Sequence, residues 1–235
     1  MNSLVFVIFR KEMRELRSTK TLLLAILLYP LIIVALVLRD YLLAAPRSEI
    51  LAQVELLVPF VGFLLPLSVA GLLSMDSFVG ERSRRTIEPL LASPISEREL
   101  FLGKVLSALV PSLLITYVFV FGFLGALSLI EPTLIGVVFT AFVVVRIFWE
   151  APVLALLSTC VVTVVSSKVS DTRVAMQVAN CVILGLVFFS FIELGFFGDS
   201  LAFLVSVNFM FSVVDLGLLL LSNRFYNREE LLKHM

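Results

Sequence analysis

Few residues in this 235-residue chain have types and spacing that could do chemistry. The only histidine, His234, lies next to the C-terminal end, so Ser-His-Asp or Cys-His catalysis would have no base. The two cysteines, Cys160 and Cys181, lie in separate apolar runs, which is typical of small buried hydrophobic residues rather than of a disulfide or a metal site. The sequence therefore predicts a protein that is not an enzyme and that holds no metal or cofactor of its own.

The Gly103-Lys104 pair is the nearest approach to a phosphate-binding loop. It lacks both the preceding glycine and the following serine or threonine of a P-loop, and it opens an apolar helix, so it cannot cradle phosphates. The chain therefore does not bind ATP through a P-loop.

The composition indicates a membrane protein. Apolar residues make up 60% of the chain and the mean hydropathy is +1.09, whereas a soluble domain is about 45–50% apolar. A chain this apolar cannot hide its surface in one soluble core, so lipid is the expected solvent. The net charge of zero gives no indication of a nucleic-acid partner, and none is expected.

The apolar segments predict an all-α, polytopic membrane protein with six crossings. Each is long enough, as a helix rising about 1.5 Å per residue, to cross a hydrocarbon core of about 30 Å. A cleaved signal peptide is the rival interpretation of the first segment, but the 20 residues before it do not fit one. The six segments are Thr21–Leu38, Leu56–Met75, Val105–Ile130, about Trp149–Ser166, Val174–Ile192 and Leu201–Leu221.

The stretch Leu134–Ser167 has two interpretations. As one straight helix it would be too long for one crossing, and two crossings would weaken the charge bias described below. We therefore favour an interfacial or re-entrant piece at Leu134–Ile147 before the fourth crossing. Arg146 and Glu150, four residues apart, are expected to form an ion pair near the outer surface rather than a substrate site.

The ends of the chain lie outside the spans. Residues 1–20 combine apolar residues at helical spacing with basic residues on other faces, which predicts an amphipathic helix at the membrane surface; a solvated tail is the alternative. Residues 21–222 form the six-helix transmembrane domain, with a polar loop at residues 77–103. Residues 223–235 form a charged tail.

The charge distribution predicts the orientation. With six crossings, 15 of the 18 lysines and arginines fall on one side and three, Arg39, Arg47 and Arg146, on the other. Basic residues accumulate on the cytoplasmic side. Both termini and the 77–103 loop are therefore expected in the cytoplasm, in a multi-pass protein of the cell (plasma or inner) membrane.

The loop carries more structural signal than a connection between two spans needs. Thr86–Ser93 fits two turns of helix, with Glu88 and Pro89 in the first turn and a small apolar face. Ser96 and Glu99 then fit a capping box that starts a helix running into the third crossing. A short helix with an apolar face suits a groove on a partner, although a loop folded back on the bundle is the alternative.

The run ERSRRTIEPLLASPIS from Glu81 to Ser96, followed by Glu99-Leu100 and Gly103-Lys104, closely resembles the loop after the second span in permease subunits of ABC-2-type ABC transporters. The resemblance implies a coupling helix, Thr86–Ser93, that docks on a cytoplasmic ABC ATP-binding subunit. It also implies a dimer of permeases, identical or not. The docking residues implied by the motif are Glu81, Arg82, Thr86, Ile87, Glu88, Leu90, Leu91 and Ser93.

Polar residues inside the spans are the second functional signal. Gln177 and Asn180 share a face of the fifth span, and Asn208 and Asp215 share a face of the sixth. A charged aspartate near the bilayer centre costs about 2.5–3.5 kcal/mol, so it should face the bundle or water. The four residues are candidates for a translocation path or a protomer interface, and hydrogen bonding between helices is the alternative.

Together, the resemblance and the residues predict the membrane permease subunit of an ATP-driven ABC-2-like transporter, an exporter by family resemblance. A permease for cofactor or haem maturation would keep the same fold, but it would favour a lumen rich in methionine or histidine. A membrane scaffold or assembly protein is the alternative of a different class, and it would have no ATPase partner.

Overall fold

The computed structural model of the protein is helical throughout the residues that it describes. These are residues 2–18, 62–80, 96–130, 140–168, 172–197 and 200–225, together with six separate positions between 24 and 39. Six helices, α1 to α6, cover the six ranges, and the described part of the chain contains no strand. This bears out the all-α membrane fold at the level of helices and hydropathy.

The helix bounds agree with most of the predicted spans. Over the described residues, three helices are long and apolar enough to cross a membrane, and they fall at the third, fourth and sixth predicted crossings. The first predicted crossing, Thr21–Leu38, lies almost entirely outside the described residues. The bounds are α1, Asn2–Ser18; α2, residues 62–80; α3, Glu97–Ile130; α4, residues 141–168; α5, Thr172–Phe197; and α6, Leu201–Phe225.

Helix α4 differs from the sequence prediction. Its three parts, Ala141–Val145, a π-helical turn at Arg146–Glu150 and Ala151–Lys168, follow one another without a break. The predicted boundary between a piece ending at Ile147 and a span starting at Trp149 is therefore wrong. The Arg146-to-Glu150 stretch, read as an interruption because of its charges, is a π-turn inside the helix, where one extra residue changes which side chains face inward. Residues 131–139 lie outside the described part of the chain.

The core of the bundle lies between α2, α4 and α6. Phe63, Leu64 and Leu67 of α2 are buried against side chains of α4 and α6, and α5 covers this cluster through partly buried residues. Gly71 makes a close helix crossing possible, because a Cβ atom there would lie 2.8 Å from the Ser158 Oγ atom of α4 and 2.6 Å from Ile183 Cδ1 of α5. Small residues permit such close approaches in membrane bundles, where packing replaces the hydrophobic effect between helices.

Helix α1 packs on α3 and α2 through the apolar stripe that predicted a membrane-surface helix. Ile8 is buried with residues of α2 and α3, and Leu16 packs against a second small cluster formed by the same two helices. Phe6 and Val7 lie on the other side and are 62% and 57% exposed. Much of the stripe therefore contacts protein, and the residues left for lipid are those beside it.

Gly103 sets the distance between α1 and α3. A Cβ atom at this position would lie 2.7 Å from Ile8 Cγ2 and 2.8 Å from Ile8 Cβ. Because Cβ is the branch point of isoleucine, rotation of the side chain cannot relieve that contact. Contact between α1 and α3 at this crossing therefore depends on a glycine at position 103.

We predict that Gly103→Ala lowers the free energy of unfolding by about 1–3 kcal/mol, the usual cost of overpacking. Adding Ile8→Gly removes the whole Ile8 side chain, including the Cβ atom that the new methyl group would meet, so the double variant should lose less stability than the two single changes sum to. Gly122→Ala is the matched control, because a Cβ there meets nothing within 4 Å. Thermal unfolding of the purified protein in lipid nanodiscs measures all four variants; strictly additive losses would contradict the contact.

Candidate functional site

The predicted docking helix, Thr86–Ser93, lies outside the described residues, as do Glu81 and Arg82. The structure does describe the base of the loop that carries this helix, on both sides. The loop leaves α2 at Gly80 and enters α3 at Ser96, so the geometry at these two ends determines how the loop is held.

The entry into α3 is capped as predicted. Ser96 Oγ accepts a hydrogen bond from the Glu99 N–H at 3.4 Å, and Glu99 Oε2 accepts in return from the Ser96 N–H at 3.2 Å and from Ser96 Oγ at 2.5 Å. The first turn of a helix has no internal partners for its N–H groups, and this box satisfies two of them. The capping box at Ser96 and Glu99 is confirmed. The helix continues from there into the third crossing without interruption.

The exit from α2 is held by a buried lysine of α3. Lys104 is 0% exposed, and its Nζ atom donates to the main-chain oxygen of Ser77 at 2.5 Å. The ammonium also lies 5.2 Å from the centre of the Phe78 ring, within range of a cation–π contact. The carbonyl groups at the end of a helix lack helical partners and carry partial negative charge, so a cation placed there is stabilised.

An apolar cluster surrounds this contact and joins three helices. It contains one residue of α1, one of α2 and three of α3, and all five are buried. Leu156 of α4 and Leu219 of α6 pack against it. The base of the loop is therefore anchored in the interior of the protein rather than in a flexible surface. The cluster residues are Ile8, Phe78, Leu100, Phe101 and Val105.

The four polar residues predicted for a path or an interface fall into two environments. Gln177 and Asn180 are exposed on α5. Asn208 and Asp215 are each 1% exposed, in the interior of the same chain. Asn208 Nδ2 donates to the Leu204 carbonyl at 3.0 Å. Neither carboxylate oxygen of Asp215 has a hydrogen-bond partner within the described residues.

Arg146 and Glu150 form the predicted ion pair, but within the protein rather than on a solvated outer surface. Arg146 Nη1 lies 3.1 Å and 3.0 Å from the two carboxylate oxygens of Glu150, and each residue is 1% exposed. The π-turn brings both side chains to the buried side of α4. Next to Glu150, Trp149 Nε1 donates to Ser212 Oγ at 3.3 Å and joins α4 to α6.

A family model described as ABC-2 family transporter protein matches residues 6–208. The chain belongs to the ABC-2 transporter family. It is a membrane permease of an ABC transporter, as the loop motif and the apolar helices indicated. The match runs from α1 into α6 and includes the loop together with Gly103 and Lys104. No curated protein matches the chain.

Sequence reasoning missed the structural role of the permease's Gly103-Lys104 pair. The pair was considered as an incomplete phosphate-binding motif and as part of the family resemblance, but not as a contact between helices. The available signal was Lys104 itself, about two turns inside an apolar helix, where a lysine must find a partner. The sequence offered no means to identify a main-chain oxygen of Ser77, 27 positions earlier, as that partner.

Asp215 generates a stability prediction for the permease. A buried polar group without a partner costs about 1–3 kcal/mol, so Asp215→Leu should raise the free energy of unfolding by about that amount. Val214→Leu, on the exposed side of the same helix, should leave it unchanged. Thermal unfolding in nanodiscs measures the difference. A lower stability for Asp215→Leu would show that the carboxylate has a stabilising partner.

Proposed function

We propose that this permease works with a separate cytoplasmic ATPase subunit, which docks on the helix Thr86–Ser93, and that ATP hydrolysis drives export. The match to the ABC-2 family over residues 6–208 carries the proposal. The absence of a P-loop from the sequence supports an ATPase on another chain. The direction of transport rests on the resemblance to ABC-2 exporters.

The loop is suited to pass movement between the two subunits. Its apolar face, formed by Ile87, Leu90 and Leu91, would fill a groove on the ATPase. Its two ends enter α2 and α3, which are joined by the buried contacts around Phe78 and Lys104. Closure of an ATPase pair on ATP would displace the docked helix and, through these ends, the two spans.

The orientation and the location follow from the distribution of charge. We propose that both termini and the docking loop face the cytoplasm and that the protein spans the cell membrane. The support is the excess of lysine and arginine in these segments of the sequence. Helix α1 would lie at the inner surface of the membrane, with exposed Phe6 and Val7 available to lipid.

A second permease completes the proposed transporter, and the exposed face of α5 supports its position. Gln177 and Asn180 are exposed on a helix whose neighbouring residues, such as Val174 and Val178, are apolar. Amide side chains are costly against lipid tails but can pair with those of another protomer or face a water-filled path. We propose that this face lies against the second permease or lines the path between the two.

The buried residues Asn208 and Asp215 would reach a path only if α6 moved relative to α4. We propose that Asp215 takes part in that movement. If so, the Asp215→Leu variant retains the ATPase subunit and loses ATP-driven transport. Normal transport by this variant would remove Asp215 from the path.

We predict that replacing Leu90 and Leu91 with aspartate removes the ATPase subunit from the complex, because charges cannot enter an apolar groove without a large loss of affinity. The chain is tagged and purified from native membranes, and the bound proteins are identified by mass spectrometry. Recovery of the ATPase should fall at least about tenfold, which corresponds to about 1.4 kcal/mol of binding free energy.

Ser83→Asp is the matched control, since it adds a charge to the same loop outside Thr86–Ser93. It should leave the ATPase bound. Equal recovery of the ATPase with the double aspartate variant would contradict docking on this helix. Loss of the ATPase with Ser83→Asp as well would show that charge anywhere in the loop, rather than the apolar face, controls association.

The proposed interface predicts that two copies of the chain with different tags, expressed together, are purified together. Replacing Gln177 and Asn180 with isoleucine should lower recovery of the second copy, because the apolar side chains compete for lipid and cannot hydrogen-bond across the interface. Met210→Ile, at an exposed position of α6, is the control. If the two tagged wild-type copies never purify together, the transporter does not contain two identical chains. Pairing with a different permease would then be the form of the proposal that still applies.

A further inference from the structure

The docking loop can act on two spans together only if its two ends move as one unit. Residues 81–95 separate the last residue of α2 from Ser96, the residue before α3. A connection of 15 residues does not by itself fix the distance between the two helices that it joins. Something at its base must therefore prevent the two helices from separating when a partner displaces the loop.

Lys104 spans this base. It lies on α3, two turns after Ser96, and its ammonium contacts Ser77 and Phe78 on the last turn of α2. The oxygen that accepts its hydrogen bond belongs to the main chain of a π-helical segment, Met75–Gly80, directly before the loop. The contact therefore joins the segment on which the loop begins to the helix on which it ends.

Burial makes this contact difficult to break. With Lys104 0% exposed, separation of α2 from α3 would take the Ser77 oxygen away from an ammonium group that lies in an apolar cluster and cannot exchange it for water. The loss of one partner of a buried charged hydrogen bond costs far more than the bond contributes in water. By contrast, the Ser77 hydroxyl lies 3.5 Å from Nζ, so the side chain of Ser77 adds little to the contact.

The same part of α3 also holds α1. Gly103 is the residue before Lys104, and its Cα faces Ile8 so closely that a methyl group would not fit between them. Two adjacent residues of α3 thus contact two different helices. Displacement of α3 at this level would move the end of α2 through Lys104 and move α1 through Gly103.

We propose that Lys104 is a positioning residue for transport: it clamps the base of the docking loop, so that movement of the loop reaches α2 and α3 as one unit. The proposal rests on the proposed function, since it requires an ATPase that displaces the loop. Because Lys104 is 0% exposed, its proposed role does not involve contact with the ATPase. Its loss should therefore separate ATP hydrolysis from movement of the spans while the two subunits stay associated.

The experiment uses the complex purified from native membranes and placed in nanodiscs. Gly125→Cys reports movement at the far end of α3, where a side chain meets no neighbour within 4 Å. Cys181→Ser removes the exposed native thiol, while Cys160 is buried and can remain. The rate at which N-ethylmaleimide labels the reporter is measured with no nucleotide and after trapping with ATP and vanadate.

In the background with Lys104 intact, we expect trapping to change the labelling rate. Lys104→Met keeps the apolar stem but removes the ammonium, and it should reduce that change at least about tenfold, as expected for the loss of a buried charged hydrogen bond. ATP hydrolysis and ATPase recovery should remain. Adding Ser77→Ala to the parent, which carries Gly125→Cys and Cys181→Ser with Lys104 intact, should leave the labelling response unchanged, because the acceptor is a main-chain oxygen. Val105→Ala is the control for loss of packing in the same cluster.

A full response of the reporter with Lys104→Met would overturn the clamp, as would an equal loss with Ser77→Ala or Val105→Ala. A reporter that does not respond in the parent complex would also overturn it. If the Lys104→Met variant does not reach the membrane, Phe78→Leu is tested in its place. This change removes the ring that the ammonium contacts and should reduce the change in labelling rate on trapping. A parent chain that purifies without an ATPase would overturn the proposed function and this proposal together, whereas a bound ATPase with a normal Lys104→Met response overturns this proposal alone.

Discussion

The buried charge of Lys104 constrains the end of the helix bundle at which α2 ends and α3 begins. The Lys104 ammonium has no exposed surface, and its partner is a main-chain oxygen at the end of another helix. An ammonium group in such an environment is destabilised when it loses a hydrogen-bond acceptor that water cannot replace. The apolar cluster around Phe78, the close contact between Gly103 and Ile8, and the capped start of α3 all lie within about two turns of this residue.

The connection between α2 and α3 is 15 residues long, and the two helix ends that it joins are held together by buried contacts. The residues expected to meet the ATPase belong to the 15-residue segment between α2 and α3. The residues that would receive its movement are packed in the interior. Burial at the base suits the proposed docking of the loop on an ATPase, because force applied to the loop would move the spans only if the two helix ends at its base stay together.

Local signals in the sequence predicted local structure well. The capping box at Ser96 and Glu99 follows from the types of two residues three positions apart, and it was confirmed. Contacts that depend on the relative placement of helices could not be predicted in this way. The Lys104 acceptor is a main-chain atom, which the residue types do not reveal. The burial of Arg146 and Glu150 depends on which side of α4 faces the other helices, and their charges suggested a solvated surface instead. The same holds for the polar residues of the last two spans. Asn180 and Asp215 are both polar residues inside apolar segments, but Asn180 is exposed and Asp215 is buried.

We propose that this chain is the membrane subunit of a transporter powered by another protein. The most direct test is the rate of ATP hydrolysis by the tagged chain purified from its native membranes and reconstituted in nanodiscs. We expect ATP hydrolysis that co-elutes with the chain, is inhibited by vanadate and comes from a second subunit with a P-loop. A pure chain that carries no ATPase and hydrolyses no ATP would contradict the account and indicate a scaffold instead.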